Sequence, residues 1–255
     1  MTSNDTALRT VQIAQWSRSK VLAVWAAAAL PMGILAWVVA PLLAHAFSGP
    51  AALERAVTLS LTAGLIWQFV LVVALVRREQ GTLSWPVVRD ALWLRAPVHP
   101  GTGRRGGLLW LVLVPCILLF GAEEFLPSTM PAAGYDLPTF LQSDAGSALL
   151  ADSWAWFAVI VALTIFNTVL GEELLFRGLL LPRMREAFGR GDWVANGVLF
   201  AVYHLHMPWA IPAALVDTVA IALPSRRYRS ALIGIIVHSA QSVVVLAGAL
   251  SLVLG

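Results

Sequence analysis

The chain has 255 residues, 59% of them hydrophobic and only 12% charged, with a mean hydropathy of +0.79. Soluble domains usually carry about a quarter charged residues. The composition therefore excludes a disordered chain, a disulfide scaffold and an ordinary cytosolic enzyme, and leaves a single small domain embedded in a membrane. The single cysteine, Cys116, lies in an apolar run and can build neither a disulfide framework nor a thiolate cluster.

Apolar stretches of bilayer-crossing length predict an all-α fold, a polytopic transmembrane helix bundle of about seven spans. Residues 1–20 form a polar N-terminal segment, residues 21–149 the N-terminal helices and loops, and residues 150–255 a core that carries the functional motifs. The first span is expected over 21–47. Ala44-His45-Ala46 has the form of a signal-peptide cleavage site, but the apolar stretch before it exceeds the roughly 7 to 15 residues of a signal peptide, so an uncleaved helix is expected. Further spans are expected over 57–76, 108–125, 154–181, 194–209, 210–223 and 230–254, the fifth and sixth divided by Pro208 and Pro212. The glycine-rich stretch 101–107 predicts a flexible linker.

The net charge of +3 and isoelectric point near 9.6 would suit nucleic-acid binding were the basic residues not sorted along the chain. With a cytoplasmic N-terminus, fifteen of the 17 fall on one side, leaving Arg55 outside and Arg177 within a span. The loop over 128–148 has Asp136 and Asp144 and no Lys or Arg. This is a topology signal, and it predicts a multi-pass cell-membrane protein with no nucleic-acid partner.

Ionisable residues within spans are costly, by roughly 2.5 to 3.5 kcal/mol each on insertion scales, so each asks for a reason. At 1.5 Å per helical residue, Glu172, His204, His238 and Asp217 all lie about 10 to 16 Å from the basic side. Four spans thereby place titratable groups in one layer. Glu123 and Glu124 lie about 22 Å away and are expected only to end the third helix at the outer surface.

In Gly171-Glu172-Glu173-Leu174-Leu175-Phe176-Arg177, the spacing of Glu173 and Arg177 suits an intrahelical ion pair. Glu172 points about 100° away with a free carboxylate, suited to a general base acting on water. Phe200 and His204 share a face, as do His238 and Ser242. His204 taken alone is as well explained as interhelical packing glue, and Asp217 as an accessory carboxylate or the partner of an arginine at a helix end. His206, about 200° round from His204, is expected at the interface.

Glu-Glu-x-x-x-Arg, then Phe-x-x-x-His, then His-x-x-x-(Asn or Asp) on three successive segments resembles the CAAX-prenyl-endopeptidase and bacteriocin-processing (CPBP) intramembrane proteases. The first motif matches at Glu172, Glu173 and Arg177, the second at Phe200 and His204, and the third at His238, with Ser242 where the family usually has Asn. The resemblance implies an endopeptidase whose cavity opens toward the cytoplasm and whose substrate is a peptide or protein, lipid-modified or not. It implies that Glu172 activates water with His204, that Glu173 and Arg177 organise the site, and that His238 with residue 242 stabilises the oxyanion. It also implies no cofactor. A zinc ion on Glu172, His204 and His238 is the mechanistic alternative. A non-proteolytic immunity or scaffold protein, or a proton-coupled carrier, is the non-enzymatic one.

Overall fold

The computed structural model describes residues 12–125 and 130–255, so Arg9, Pro127 and the side chain of Glu124 lie outside the described residues. The first helix, α1 (Arg18–Ala44), starts where the Ser17 hydroxyl accepts a hydrogen bond from the Lys20 N–H. Pro31 removes one backbone donor inside it, and the winding loosens to a π turn at Leu35–Val39. The second, α2 (Ala52–Gln80), ends on Gly81 at φ 72°, a left-handed cap that glycine adopts without Cβ strain. Then come α3 (Gly107–Gly121), α4 (Trp154–Arg183), α5 (Asp192–Tyr203), α6 (Pro208–Ala214), α7 (Thr218–Tyr228) and α8 (Ala231–Leu254).

The all-helical class holds among the described residues, but the span count does not reach seven. Four helices are long and apolar enough to cross a membrane: α1, α2, α4 and α8. A fifth crossing is reached if α6 and α7, which meet at 48°, count as one broken span. The expected fifth span stops at Tyr203, because two single 3-10 turns, His204–His206 and Pro208–Ala210, follow it. Helix α3 is a shorter apolar helix that begins as 3-10 and turns α at Leu113. The stretch 101–107 is also more ordered than a free linker. The chain reverses there, His99 N–H donating to Arg104 C=O and Gly106 N–H to Pro97 C=O, while Val98 N–H donates to Tyr228 C=O.

Helix α4 runs through the middle of the bundle. Every residue from 171 to 184 is buried, as expected of a helix that is apolar nearly all round and enclosed by neighbours. Leu174, Leu175, Phe176, Leu179 and Leu180 join Val21 and Met32 of α1, Leu65 and Val72 of α2, and Phe200 and Tyr203 of α5 in one core. Indole N–H groups tie the helices together: Trp25 donates to Leu199 C=O at 2.8 Å and Trp67 to Ala27 C=O at 2.8 Å. Leu42, Leu118, Val243, Val244 and Leu254 stay exposed, the outward apolar surface that a lipid environment covers.

Candidate active site

Glu172 and Glu173 lie where two π turns of α4 meet, Phe166–Gly171 before them and Leu174–Leu180 after. Such wide turns widen the spacing of side chains along a helix and concentrate at functional sites. Glycine is needed at 171, since an added Cβ would sit 2.5 Å from Phe166 O and 3.2 Å from Leu65 O of α2. The α2 backbone thus lies directly against the turn that presents Glu172.

The expected Glu173–Arg177 ion pair forms at 3.0 Å with both side chains fully buried. Glu173 also meets the His238 Nδ1 of α8 at 3.2 Å through the same Oε1, so it joins two motifs that are far apart in the chain. Gly234, one turn before His238, makes room for this carboxylate, because an added Cβ there would fall on Glu173 Oε2.

Glu172 is 1% exposed. Its Oε2 has no hydrogen-bond partner, and the Tyr203 hydroxyl of α5 accepts a hydrogen bond from Gln68 Nε2 at 2.6 Å. His204 Nδ1 lies 3.0 Å from Phe200 C=O. A carbonyl only accepts, so Nδ1 is the protonated nitrogen and Nε2 is left able to take a proton. The ring also satisfies a carbonyl at the end of α5 that the helix itself cannot.

Phe200 is the hub of the layer. Its ring meets His204 edge-on at 4.9 Å and His238 at 6.2 Å, and the Arg177 guanidinium sits 4.0 Å over its centre. The motifs expected to converge do so around one aromatic ring. Asp217 is 3% exposed and its Oδ1 has no hydrogen-bond partner. Counting depth from helix ends assumed straight spans, and the break between α6 and α7 invalidates that count for Asp217.

His206 is a second correction. It is 4% exposed, stacked on His204 at 5.5 Å with 23° between the ring planes, and its Nδ1 has no hydrogen-bond partner. The 100° per residue of an α-helix does not apply in the tight turn that follows Tyr203. Ser242 donates to Thr168 Oγ1 at 3.2 Å, so its proton is engaged on α4.

A cavity of about 500 Å³ adjoins the layer, bounded by Leu61 and Leu65 of α2, Asn167 of α4, His206, and Gln241 and Ser242 of α8. Its other wall is the segment from Gly134 to Gln142, at the end of the bundle away from the basic connections. Among the described residues, no three His, Cys, Asp or Glu side chains converge in an arrangement that could hold a metal ion. Glu172, His204 and His238, the alternative zinc set, do not form a ligand cluster as placed.

Sequence reasoning missed Tyr203, Gln68 and Thr168. Gln68 had a legible signal, an uncharged polar residue in the middle of an apolar span.

Residues 154–244, somewhat over a third of the chain, match the family model described as type II CAAX prenyl endopeptidase Rce1-like. The matched segment runs from the start of α4 into α8 and contains all three motifs. No curated protein and no solved structure matches the chain.

Proposed function

Taking the CPBP-family match as the premise, we propose that the protein is a multi-pass membrane endopeptidase that hydrolyses a peptide bond with a water activated by Glu172. The observation that carries this reading is a buried carboxyl whose Oε2 has no partner, next in the chain to Glu173, which pairs with Arg177 and His238 in the layer where two histidines and an arginine gather around Phe200. An unpaired polar atom at that depth is costly, and its retention points to use.

In the proposed reaction Glu172 takes a proton from water as the oxygen adds to the scissile carbonyl carbon, giving a tetrahedral oxyanion. His204, with Nε2 free, assists the proton transfer. His238 in its imidazolium form, its Nδ1–H held by Glu173, donates from Nε2–H to the oxyanion, and Arg177 supplies positive charge beside it. Collapse breaks the C–N bond, and the proton held by Glu172 passes to the leaving amine. Ser242 backs the layer through Thr168 instead of donating directly. No metal enters these steps.

The substrate is a membrane-associated peptide or protein, and a prenylated C-terminal peptide is the form to test first, given the family match. The N-terminus is placed in the cytoplasm on the distribution of basic residues. Comparison of membrane-peptide profiles from cells with wild-type and Glu172→Ala protein tests the reading. Loss of cleavage by about 10²- to 10⁴-fold in a folded variant is expected. Unchanged profiles would overturn it, and retention of a protective phenotype without cleavage would favour the immunity or scaffold role.

A further inference from the structure

We propose that the cavity of about 500 Å³ beside the layer binds the peptide segment, and takes an uncharged or basic one in preference to one ending in a free carboxylate, a role that rests on the endopeptidase reading. Its volume lies within the roughly 300 to 1,000 Å³ of ordinary ligand pockets. Each of the three motif segments sends a polar residue to its wall. Asn167 lies one wide turn before Glu172, whose N–H donates to the Asn167 C=O. Ser242 lies one turn after His238, and the His206 ring stacks on that of His204 at 5.5 Å. The cavity therefore meets the layer along all three segments.

The wall suits a peptide backbone in apolar surroundings. Leu61, Leu65 and Leu163 offer aliphatic surface, while Asn167 and Gln241 carry amides that donate and accept as a peptide bond does. Backbone groups held at membrane depth need such partners. His206 adds another, a ring in the wall that is 4% exposed and whose Nδ1 the fold leaves unpaired. Charge sets the preference. Among the described residues the wall holds no Lys or Arg, and its two charged side chains, Glu54 and Asp136, are both acidic. Asp136 accepts from the Thr139 N–H at 2.9 Å, and Glu54 Oε2 is buried with no partner. Arg55, next in the chain to Glu54, instead donates to Ser48 C=O at 3.3 Å and lies 4.4 Å over the Phe47 ring. A bound carboxylate would meet two like charges and no cation, whereas an amide or an ammonium group would meet no repulsion.

The test uses full-length protein carrying Glu172→Gln in lipid nanodiscs, so that a bound peptide is held and not cut. The probe is a short apolar peptide with a fluorescent label and a central photoreactive benzophenone, made once as the C-terminal amide and once as the free acid. The amide should bind about threefold to tenfold more tightly than the acid. Its photoproducts should map to residues 134–142 and 241–245. Glu54→Gln together with Asp136→Asn, which keeps a side-chain oxygen to cap the turn at Thr139, should bring the two forms to within about twofold of each other. Equal affinities without these changes, tighter binding of the acid, or photoproducts confined to lipid-facing residues would overturn the proposal. If the double variant does not fold, the comparison of the two peptide forms still decides it. Cleavage by the wild-type protein is read separately. Photoproducts at the cavity without cleavage would support the binding site and sink the endopeptidase reading for this peptide, and cleavage without them would do the reverse.

Discussion

Two buried arginines six residues apart on α4 are treated in opposite ways by the fold. Arg183 has its donors filled: Nε and Nη2 make a two-pronged pair with Glu79 at 2.9 Å each, and Nη1 donates to Leu179 C=O at 2.9 Å and Ala91 C=O at 3.2 Å. Arg177 is equally buried, yet none of its three nitrogens finds a hydrogen-bond partner, and it is held by the charge of Glu173 and the face of Phe200. A satisfied fork locks α2, α4 and the short helix Trp85–Ala91 together. An unsatisfied one keeps donors facing the layer of Glu173, His204 and His238. The same residue type on the same helix is satisfied at one end and left without hydrogen bonds at the other, a difference that fits a structural role for Arg183 and the proposed site role for Arg177.

That contrast can be broken by substitution. The largest expected effect is in Glu79→Ala, which leaves the Arg183 guanidinium buried without its carboxylate. Stability should fall by about 3 to 5 kcal/mol, read as a lower thermal midpoint in detergent, with kcat of the remaining folded protein close to wild type. Arg177→Met should do the reverse, lowering cleavage by about a hundredfold with a smaller drop in thermal midpoint, because the Glu173 carboxylate keeps His238 as a partner. Equal thermal losses in these two variants would show that the arginines are not functionally distinct. The smallest effect is expected at Ser242, where asparagine should hold cleavage within about threefold of wild type, since the serine proton is engaged on Thr168 and the layer does not depend on it. Complete loss would assign the hydroxyl a direct role.

The layer was legible in the sequence because burying a charge in an apolar span is expensive wherever the span lies, so Glu172, His204 and His238 stood out without any coordinates. The ion pair of Glu173 with Arg177 was legible too, since helical neighbours meet whatever the rest of the fold does. Three other features were not. The count of seven spans is not confirmed, since hydropathy registers apolar length and not where a helix breaks, and the turns after Tyr203 leave α5 only 12 residues long. His206 was misplaced because an α-helical angle was carried into a 3-10 turn. The partner of Ser242 lies on another helix, at Thr168.

Composition and the placement of charge determined by themselves that the protein is a helical membrane bundle and which few ionisable residues lie inside its apolar spans. Those are properties of each segment against its solvent, and they need no neighbour. Tertiary structure decided how the carboxyls differ: Glu173 is paired with Arg177 and with His238 from α8, while Glu172 Oε2 is buried without a partner. Contacts between side chains far apart in the chain are set by how helices pack, and the π turns in α4 that aim the two glutamates form only in that packed setting.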